Sequence, residues 1–207
     1  SWGYNPAYPF AVERDYGTPG ALKSLVRQAH ARNLKVLLDV VHNHWDGDSA
    51  LWALAGAAPG PYFYGSDPYT WTWWGPRPDY GRETVRNFIN DTFRMWVDEY
   101  HISGFRWDAP KHILYTTNNV FIPDGLRLAT NALALMAAEY PGIWNIAEDT
   151  KEINGFDCYW DLTFASEIKG LLANSSDSAR DMAVVARNVA GTAARIIFTE
   201  SHDTTGD

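Results

Sequence analysis

Four short stretches of the sequence place acidic, basic or imidazole side chains directly after an apolar run. These stretches are VLLDVVHNH (36–44), GFRWDAPKH (104–112), IWNIAEDT (143–150) and RIIFTESHD (195–203). Capping or ion pairing would explain the polar residues of any one stretch alone. Because burying an unpaired charge is costly, the repetition of this arrangement after four apolar runs indicates that the side chains meet at a functional site.

The polar residues of these stretches are suited to acid–base chemistry. They are Asp39, Asn43, His44, Arg106, Asp108, Glu148, His202 and Asp203. Carboxylates that are brought together repel each other, so at least one has a raised pKa and can act as an acid near neutral pH. Arg106 and Asp108 are two residues apart on a strand and share a face, which favours an ionised carboxylate there. A protonated carboxylate beside an ionised one, with no obligatory cofactor, is the equipment for glycoside hydrolysis.

Apolar periodicity predicts the elements that carry these residues. Short apolar runs predict strands over 35–41, 102–108, 142–148, 156–162 and 195–201. Apolar residues at steps of three and four predict helices from Pro19 to a cap at Asn33, from about Arg82 to Tyr100, and over 123–139, 164–173 and 178–189. The strand over 35–41 is expected to be buried on both faces.

Alternation of strands and helices predicts an α/β fold with parallel strands. A doubly wound sheet and a (β/α)8 TIM barrel both fit, but no glycine-rich phosphate loop follows any strand. Catalytic groups of such barrels gather at the C-terminal ends of the strands, where the polar residues lie. A full barrel takes about 250 residues and eight strands. We therefore expect one domain, residues 1–207, that forms an incomplete barrel of about strands 2/3 to 7 with a short loop excursion at about 42–81.

Composition narrows the classes of partner. No stretch approaches the ~18 consecutive apolar residues of a membrane span, and the net charge of −8 disfavours nucleic acid and anionic membrane surfaces. The single Cys158 is compatible with a reducing compartment, so a cytoplasmic location is favoured. Ten Trp and eleven Tyr supply flat rings that either pack the core or stack on sugars.

The four stretches resemble, in the same order, the characteristic sequence regions of the α-amylase superfamily of glycoside hydrolases, and WGYNPAYPFAVERDYGTP (2–19) resembles another of its segments. The resemblance implies Asp108 as nucleophile, Glu148 as general acid/base and Asp203 as the carboxylate that stabilises the transition state. It implies that Arg106 aligns Asp108 and keeps it ionised. It also implies substrate-binding roles for Tyr4, which would stack beneath the sugar, and for His44 and His202, which would hydrogen-bond its hydroxyls. Lys111 and His112 are candidates for the acceptor side, with a solvated pair as the alternative.

Within the superfamily, the opening and the segments YGRETVRNFI (80–89) and NGFDCYWDL (154–162) look closest to branching enzymes and trehalose-releasing relatives. The resemblance implies a 1,4-α-glucan branching enzyme of starch or glycogen metabolism that acts on an α-glucan. The alternatives are an α-amylase-type or trehalose-releasing hydrolase, and a catalytically inactive barrel that serves as a binding subunit. Branching enzymes carry additional β domains, so flanking domains of a full-length protein are expected to be missing from this chain.

We predict no obligatory metal or other cofactor, although a structural calcium ion would be compatible with DGD (46–48). A metal-dependent amidohydrolase barrel is a rival interpretation, because its ligands are superficially matched by His42, His44, Lys111, His112, His202 and Asp203, and imidazoles and carboxylates are good zinc ligands. That interpretation leaves Glu148 and Arg106 without a role. The cluster YTWTWWGPRPDY (69–80) is either a sugar platform or a cover over the barrel mouth.

Overall fold

The computed structural model describes residues 2–56, 58–150, 152–173, 194–198 and 201–203. Their central feature is a sheet of five strands in which every neighbouring pair is parallel. The strands are β1 (Leu37–Val40), β2 (Gly104–Trp107), β3 (Trp144–Ala147), β4 (Cys158–Trp160) and β5 (Arg195–Ile196). They lie in the order β1-β2-β3-β4-β5, without the reversal that a doubly wound sheet requires. The predicted α/β class is therefore confirmed, and the strand order is that of a barrel wall.

Helices connect and cover these strands. They are α1 (Pro19–His30), α2 (Glu83–Tyr100), α3 (Lys111–Leu114), α4 (Pro123–Glu139) and α5 (Leu162–Ala173). α1 begins as predicted, since the Thr18 hydroxyl accepts a hydrogen bond from Ala21 N at 3.2 Å and Pro19 is the first helical residue. Asn33 follows with a φ of 57°, the left-handed conformation expected of it. Within the described residues, no helix combines the length and the apolar character needed to cross a lipid bilayer.

The buried face of α2 holds β2 in place. Val85, Ile89, Phe93, Trp96 and Tyr100 are buried along this face at steps of three and four. The Phe93 ring lies 5.0 Å from the rings of both Phe105 and Trp107 on β2. Residues 105 and 107 thus point into the core, and Arg106 between them points to the opposite side of the strand.

The prediction that the first strand is buried on both faces is wrong. Leu37 is 44% exposed, and Asp39 is also exposed. Among the described residues, β1 is an edge strand that pairs with β2 alone, so its side chains have fewer neighbours to cover them. The predicted helix over 178–189 and residues 199–200 of the last predicted strand lie outside the described residues.

Candidate active site

The centre of the site is the guanidinium of Arg106, which is only 4% exposed. Its Nη1 lies 3.1 Å from Asp108 Oδ1 and 3.3 Å from Asp39 Oδ2, and its Nη2 lies 3.0 Å from Glu148 Oε2. Asp39 pairs with Arg106 in the β1–β2 register, and Arg106 pairs with Ile146 of β3. Parallel strands in this register bring three carboxylates from three strand ends around one cation.

Asp108 is fixed by two side chains. Arg106 donates to Asp108 Oδ1, and Asn43 Nδ2 donates to the backbone oxygen of Asp108 at 2.8 Å and to Oδ2 at 3.0 Å. Burial raises the pKa of Asp108, while Arg106 and the Asn43 hydrogen bond lower it, and the net direction is upward. Arg106 therefore opposes the effect of burial on Asp108 without overcoming it.

Glu148 occupies a position where it retains a proton near neutrality. Its Oε2 accepts a hydrogen bond from Ala109 N at 2.6 Å, and Ala109 has a left-handed φ of 38°. Burial raises the pKa of Glu148 to about 7, against the opposing effects of Arg106 and the Ala109 N–H. Repulsion from Asp108 and Asp149 adds to the rise, but burial is the larger cause. A carboxyl group with this pKa can donate and recover a proton at neutral pH.

Tyr4 and His202 form one side of the site. The Tyr4 hydroxyl donates to Asp39 Oδ2 at 2.5 Å and accepts from Arg106 Nη1 at 3.3 Å. The Tyr4 ring is stacked on the His202 ring, with centroids 5.1 Å apart and an interplanar angle of 8°. His202 Nε2 also lies 3.3 Å from Asp203 Oδ1. These contacts tie the opening segment of the chain to the polar end of the last described stretch.

His44 is held as a neutral acceptor. Its Nδ1 lies 2.5 Å from Asn43 Oδ1, and Asn43 uses its amide nitrogen to donate to Asp108. Asn43 Oδ1 is therefore an acceptor, so the proton is on His44 Nδ1 and Nε2 carries a lone pair. Burial lowers the pKa of His44 to about 4. His44 Nε2 is buried and has no hydrogen-bond partner among the described residues.

These groups surround one cleft of about 330 Å³. It is lined by Tyr4, His44, Trp74, Asp108, Ala109, His112, Glu148, Asp149, Leu162, His202 and Asp203. The three predicted catalytic carboxylates thus share the cleft with four of the six predicted substrate-binding residues. Of the remaining two, Arg106 lies buried beside the carboxylates, and Lys111 is exposed at the start of α3 and does not line the cleft.

Four lining residues were not predicted from the sequence as site residues: Trp74, Ala109, Asp149 and Leu162. Asp149 Oδ1 accepts a hydrogen bond from Lys111 N at 3.0 Å, and burial raises the pKa of Asp149. Its position directly after Glu148 was the available signal. The ring of Trp74 lies 5.6 Å from the ring of His44. Trp74 belongs to the aromatic cluster over 69–80, which the sequence left open as a sugar platform or a cover over the barrel mouth.

A larger cavity of about 600 Å³ lies between β1, α1 and the opening segment. Its lining is mostly apolar. Of the three carboxylates around Arg106, Asp39 borders this cavity, and Asp108 and Glu148 do not. The smaller cleft holds Asp108, Glu148 and Asp203, and chemistry rather than size makes it the candidate active site.

Of the four histidines considered as zinc ligands, His44, His112 and His202 line the cleft and His42 does not. His42 packs among core rings, 5.2 Å from Phe93 and 6.3 Å from Trp45, and burial lowers its pKa to about 3. In the described part of the chain, no group of three or more His, Cys, Asp and Glu side chains is arranged to hold a metal ion.

Comparison with known proteins gives consistent matches. The family described as "Alpha amylase, catalytic domain" matches residues 1–73. A malto-oligosyltrehalose trehalohydrolase from Saccharolobus solfataricus is 40% identical over 124 residues, which is 55% of this chain and 21% of that protein. A 1,4-alpha-glucan-branching enzyme from Emericella nidulans is 30% identical over an alignment that covers 98% of this chain and 34% of that protein.

Solved structures share the fold. The crystal structure of an alpha-amylase from Lactobacillus plantarum matches with a TM-score of 0.74 and 24% identity, over 97% of this chain and 50% of that chain. The chain spans about a fifth to a third of the length of the two curated relatives.

Proposed function

Because the chain belongs to the α-amylase family of glycoside hydrolases, we propose that it supplies the catalytic centre of an enzyme that acts on α-1,4-linked glucans through a covalent glycosyl-enzyme intermediate. The observation that carries this proposal is the arrangement of Asp108 and Glu148 around Arg106 in the cleft that Asp203 also lines. Two carboxyl groups at one cleft, one of which has a pKa of about 7, match the acid and the nucleophile that a retaining glycosidase uses.

In the first step of the proposed reaction, a carboxylate oxygen of Asp108 attacks the anomeric carbon. The bond between that carbon and the glycosidic oxygen breaks, and its electron pair goes to the oxygen, which takes the proton of Glu148. The pKa of about 7 supports Glu148 as the donor. The Arg106 and Asn43 hydrogen bonds favour the ionised Asp108 that the attack needs.

In the second step, Glu148 accepts the proton of an incoming hydroxyl. The oxygen of that hydroxyl bonds to the anomeric carbon, and the bond to Asp108 breaks with its electron pair returning to the carboxylate. We assign to Asp203 the stabilisation of the positive charge that develops on the sugar in both steps. The lone pair on His44 Nε2 is suited to accept a hydrogen bond from a sugar hydroxyl.

The incoming hydroxyl decides between two candidate functions. Branching, in which a sugar hydroxyl is the acceptor, is our first candidate, supported by branching-enzyme relatives at 30–31% identity. Hydrolysis with release of trehalose is the second, supported by the trehalohydrolase that is 40% identical over 124 residues. Both candidates use the same carboxylates and imply no obligatory metal.

The test uses the natural protein that carries this sequence, incubated with amylose and, separately, with a maltooligosyl-trehalose. New α-1,6 linkages without a rise in reducing ends indicate branching, and free trehalose indicates the second candidate. Whichever activity is found should survive EDTA and disappear in Asp108→Ala. The control variant Glu152→Gln should retain it, because Glu152 is an exposed carboxylate outside the cleft. Full activity of Asp108→Ala, or no product from either substrate, would overturn the proposal.

A further inference from the structure

Trp73 presents a large aromatic ring to solvent at the edge of the cleft. It is 68% exposed and is the second residue of a four-residue turn over 72–75. A single exposed apolar side chain is ordinary in proteins. What distinguishes Trp73 is the rigidity of the turn and the set of rings that it contacts.

The turn is fixed by hydrogen bonds and by packing. Thr72 Oγ1 accepts from Trp74 N and Gly75 N, both at 3.1 Å, and Thr72 N donates to Gly75 O at 2.9 Å. A Cβ on Gly75 would lie 2.3 Å from the backbone oxygen of Trp45, so the turn lies directly against the residues that follow β1. The backbone of Trp73 is therefore held in one place relative to the cleft.

The ring of Trp73 is continuous with the wall of the cleft. It meets Trp74 edge to face at 5.7 Å and His112 at 5.1 Å. Trp74 and His112 meet each other at 5.2 Å, and both line the cleft. The three rings thus form one aromatic cluster that begins inside the cleft and ends at an exposed indole.

We propose that Trp73 is an outer binding subsite, on which a glucose unit of an α-1,4-glucan stacks where the chain leaves the cleft past Trp74 and His112. This inference rests on the function proposed above. A cleft of about 330 Å³ is at the small end of ligand pockets, so a polymer bound there must extend beyond it. The exposed indole offers flat apolar surface to the apolar face of a pyranose ring at that exit.

An outer subsite has a consequence that depends on substrate length. A short substrate that occupies only the cleft does not reach Trp73, while a long chain does. We expect Trp73→Ala to lower kcat/KM for amylose about tenfold through KM, with kcat unchanged and with little effect on maltotriose. Trp73→Phe, which keeps a flat ring, should lose less.

The experiment measures turnover and binding separately on the natural protein. Turnover is assayed on maltotriose and on amylose, and binding by electrophoretic retardation in gels that contain amylose. The matched control is Trp144→Ala, because Trp144 is 56% exposed at the start of β3, the end of the strand opposite to Glu148. The control should leave amylose retardation unchanged, and Trp73→Ala should reduce it while its melting temperature stays at the wild-type value.

The outcomes separate the subsite from the reaction. In one outcome, amylose retards the wild-type protein, Trp73→Ala reduces this retardation, and the wild type converts neither substrate. That outcome supports the subsite and contradicts the proposed function. In another outcome, the wild type converts the substrates, and Trp73→Ala loses kcat/KM equally on amylose and maltotriose or loses none on amylose. That outcome overturns the subsite and leaves the proposed function standing. Wild-type protein that neither binds nor converts amylose overturns both.

Discussion

Replacing Glu148 with glutamine is expected to stabilise the folded protein at pH 8 and to change its stability little at pH 4. Burial raises the pKa of Glu148 from 4.5 to about 7, so the folded state binds a proton that the unfolded state releases between these values. The unfolding free energy that this proton supplies is fully present below pH 4.5 and is lost as the pH rises through about 7. Glutamine resembles the protonated side chain at every pH and escapes this loss.

The magnitude follows from the shift. Each pKa unit corresponds to 1.36 kcal/mol, so the rise from 4.5 to about 7 corresponds to about 3 kcal/mol at pH 8. The Glu148 side chain is 15% exposed, so solvent screening reduces this value little. The pKa already includes the attraction to Arg106, so the lost ion pair needs no separate correction.

The assay is urea unfolding followed by tryptophan fluorescence at several pH values between 4 and 8. The difference in unfolding free energy between Glu148→Gln and wild type should rise from near zero to about 3 kcal/mol. Glu152→Gln, which removes an exposed carboxylate, should show no such rise. A Glu148→Gln protein that is no more stable than wild type at pH 8 would show that the environment of Glu148 does not disfavour its ionised form.

Three further changes probe the surroundings of the site. Arg106→Met should move the whole pH profile of kcat/KM upward by about 1–3 units, because the guanidinium lowers the pKa of both carboxyl groups; an unmoved profile would contradict this. Asp149→Asn should lower the pKa of the alkaline limb of the kcat/KM profile by less than about one unit, because it removes a like charge near Glu148. An upward shift of that pKa would refute this expectation. Gly125→Ala should destabilise the protein by about 3 kcal/mol in urea unfolding, because its Cβ would lie 1.8 Å from the Ile113 backbone oxygen; wild-type stability would contradict this.

The convergence of the site was predictable from the sequence. Parallel strands end at the same edge of a sheet, so polar residues after several apolar runs must meet there. The two-residue spacing of Arg106 and Asp108 placed both on one face, and the structure has them 3.1 Å apart. This inference needs only the strand period and the direction of the strands, and both are local properties of the sequence.

Properties that depend on several elements at once were not predictable. The sequence suggested that carboxylate repulsion raises one pKa, but burial is the largest cause for both Asp108 and Glu148. Burial depends on how the excursion over 42–81 and the opening segment pack over the strand ends. The left-handed conformation of Ala109, whose N–H donates to Glu148, also has no signature in residue type, because alanine rarely adopts this conformation.

Strand lengths were also overestimated. The apolar run over 35–41 predicted seven residues of strand, but the paired strand is Leu37–Val40, and the last strand is Arg195–Ile196 within the described residues. Just past the first run, the backbone oxygen of His42 accepts a hydrogen bond from the Tyr80 hydroxyl at 2.7 Å and not from a strand.

The charge balance around Arg106 explains why the site should carry a proton. One guanidinium faces Asp39, Asp108 and Glu148, so three ionised carboxylates would leave an excess of two negative charges in a partly buried space. Asp39 borders solvent, which lowers the cost of its charge. The other two both face Arg106, and each accepts one further hydrogen bond, from Asn43 for Asp108 and from Ala109 N for Glu148. Burial raises the pKa of Glu148 to about 7, so Glu148 is the group that keeps the proton. The planar fork of arginine reaches Asp108 with one nitrogen and Glu148 with the other, and the single ammonium of a lysine could not hold both in this geometry.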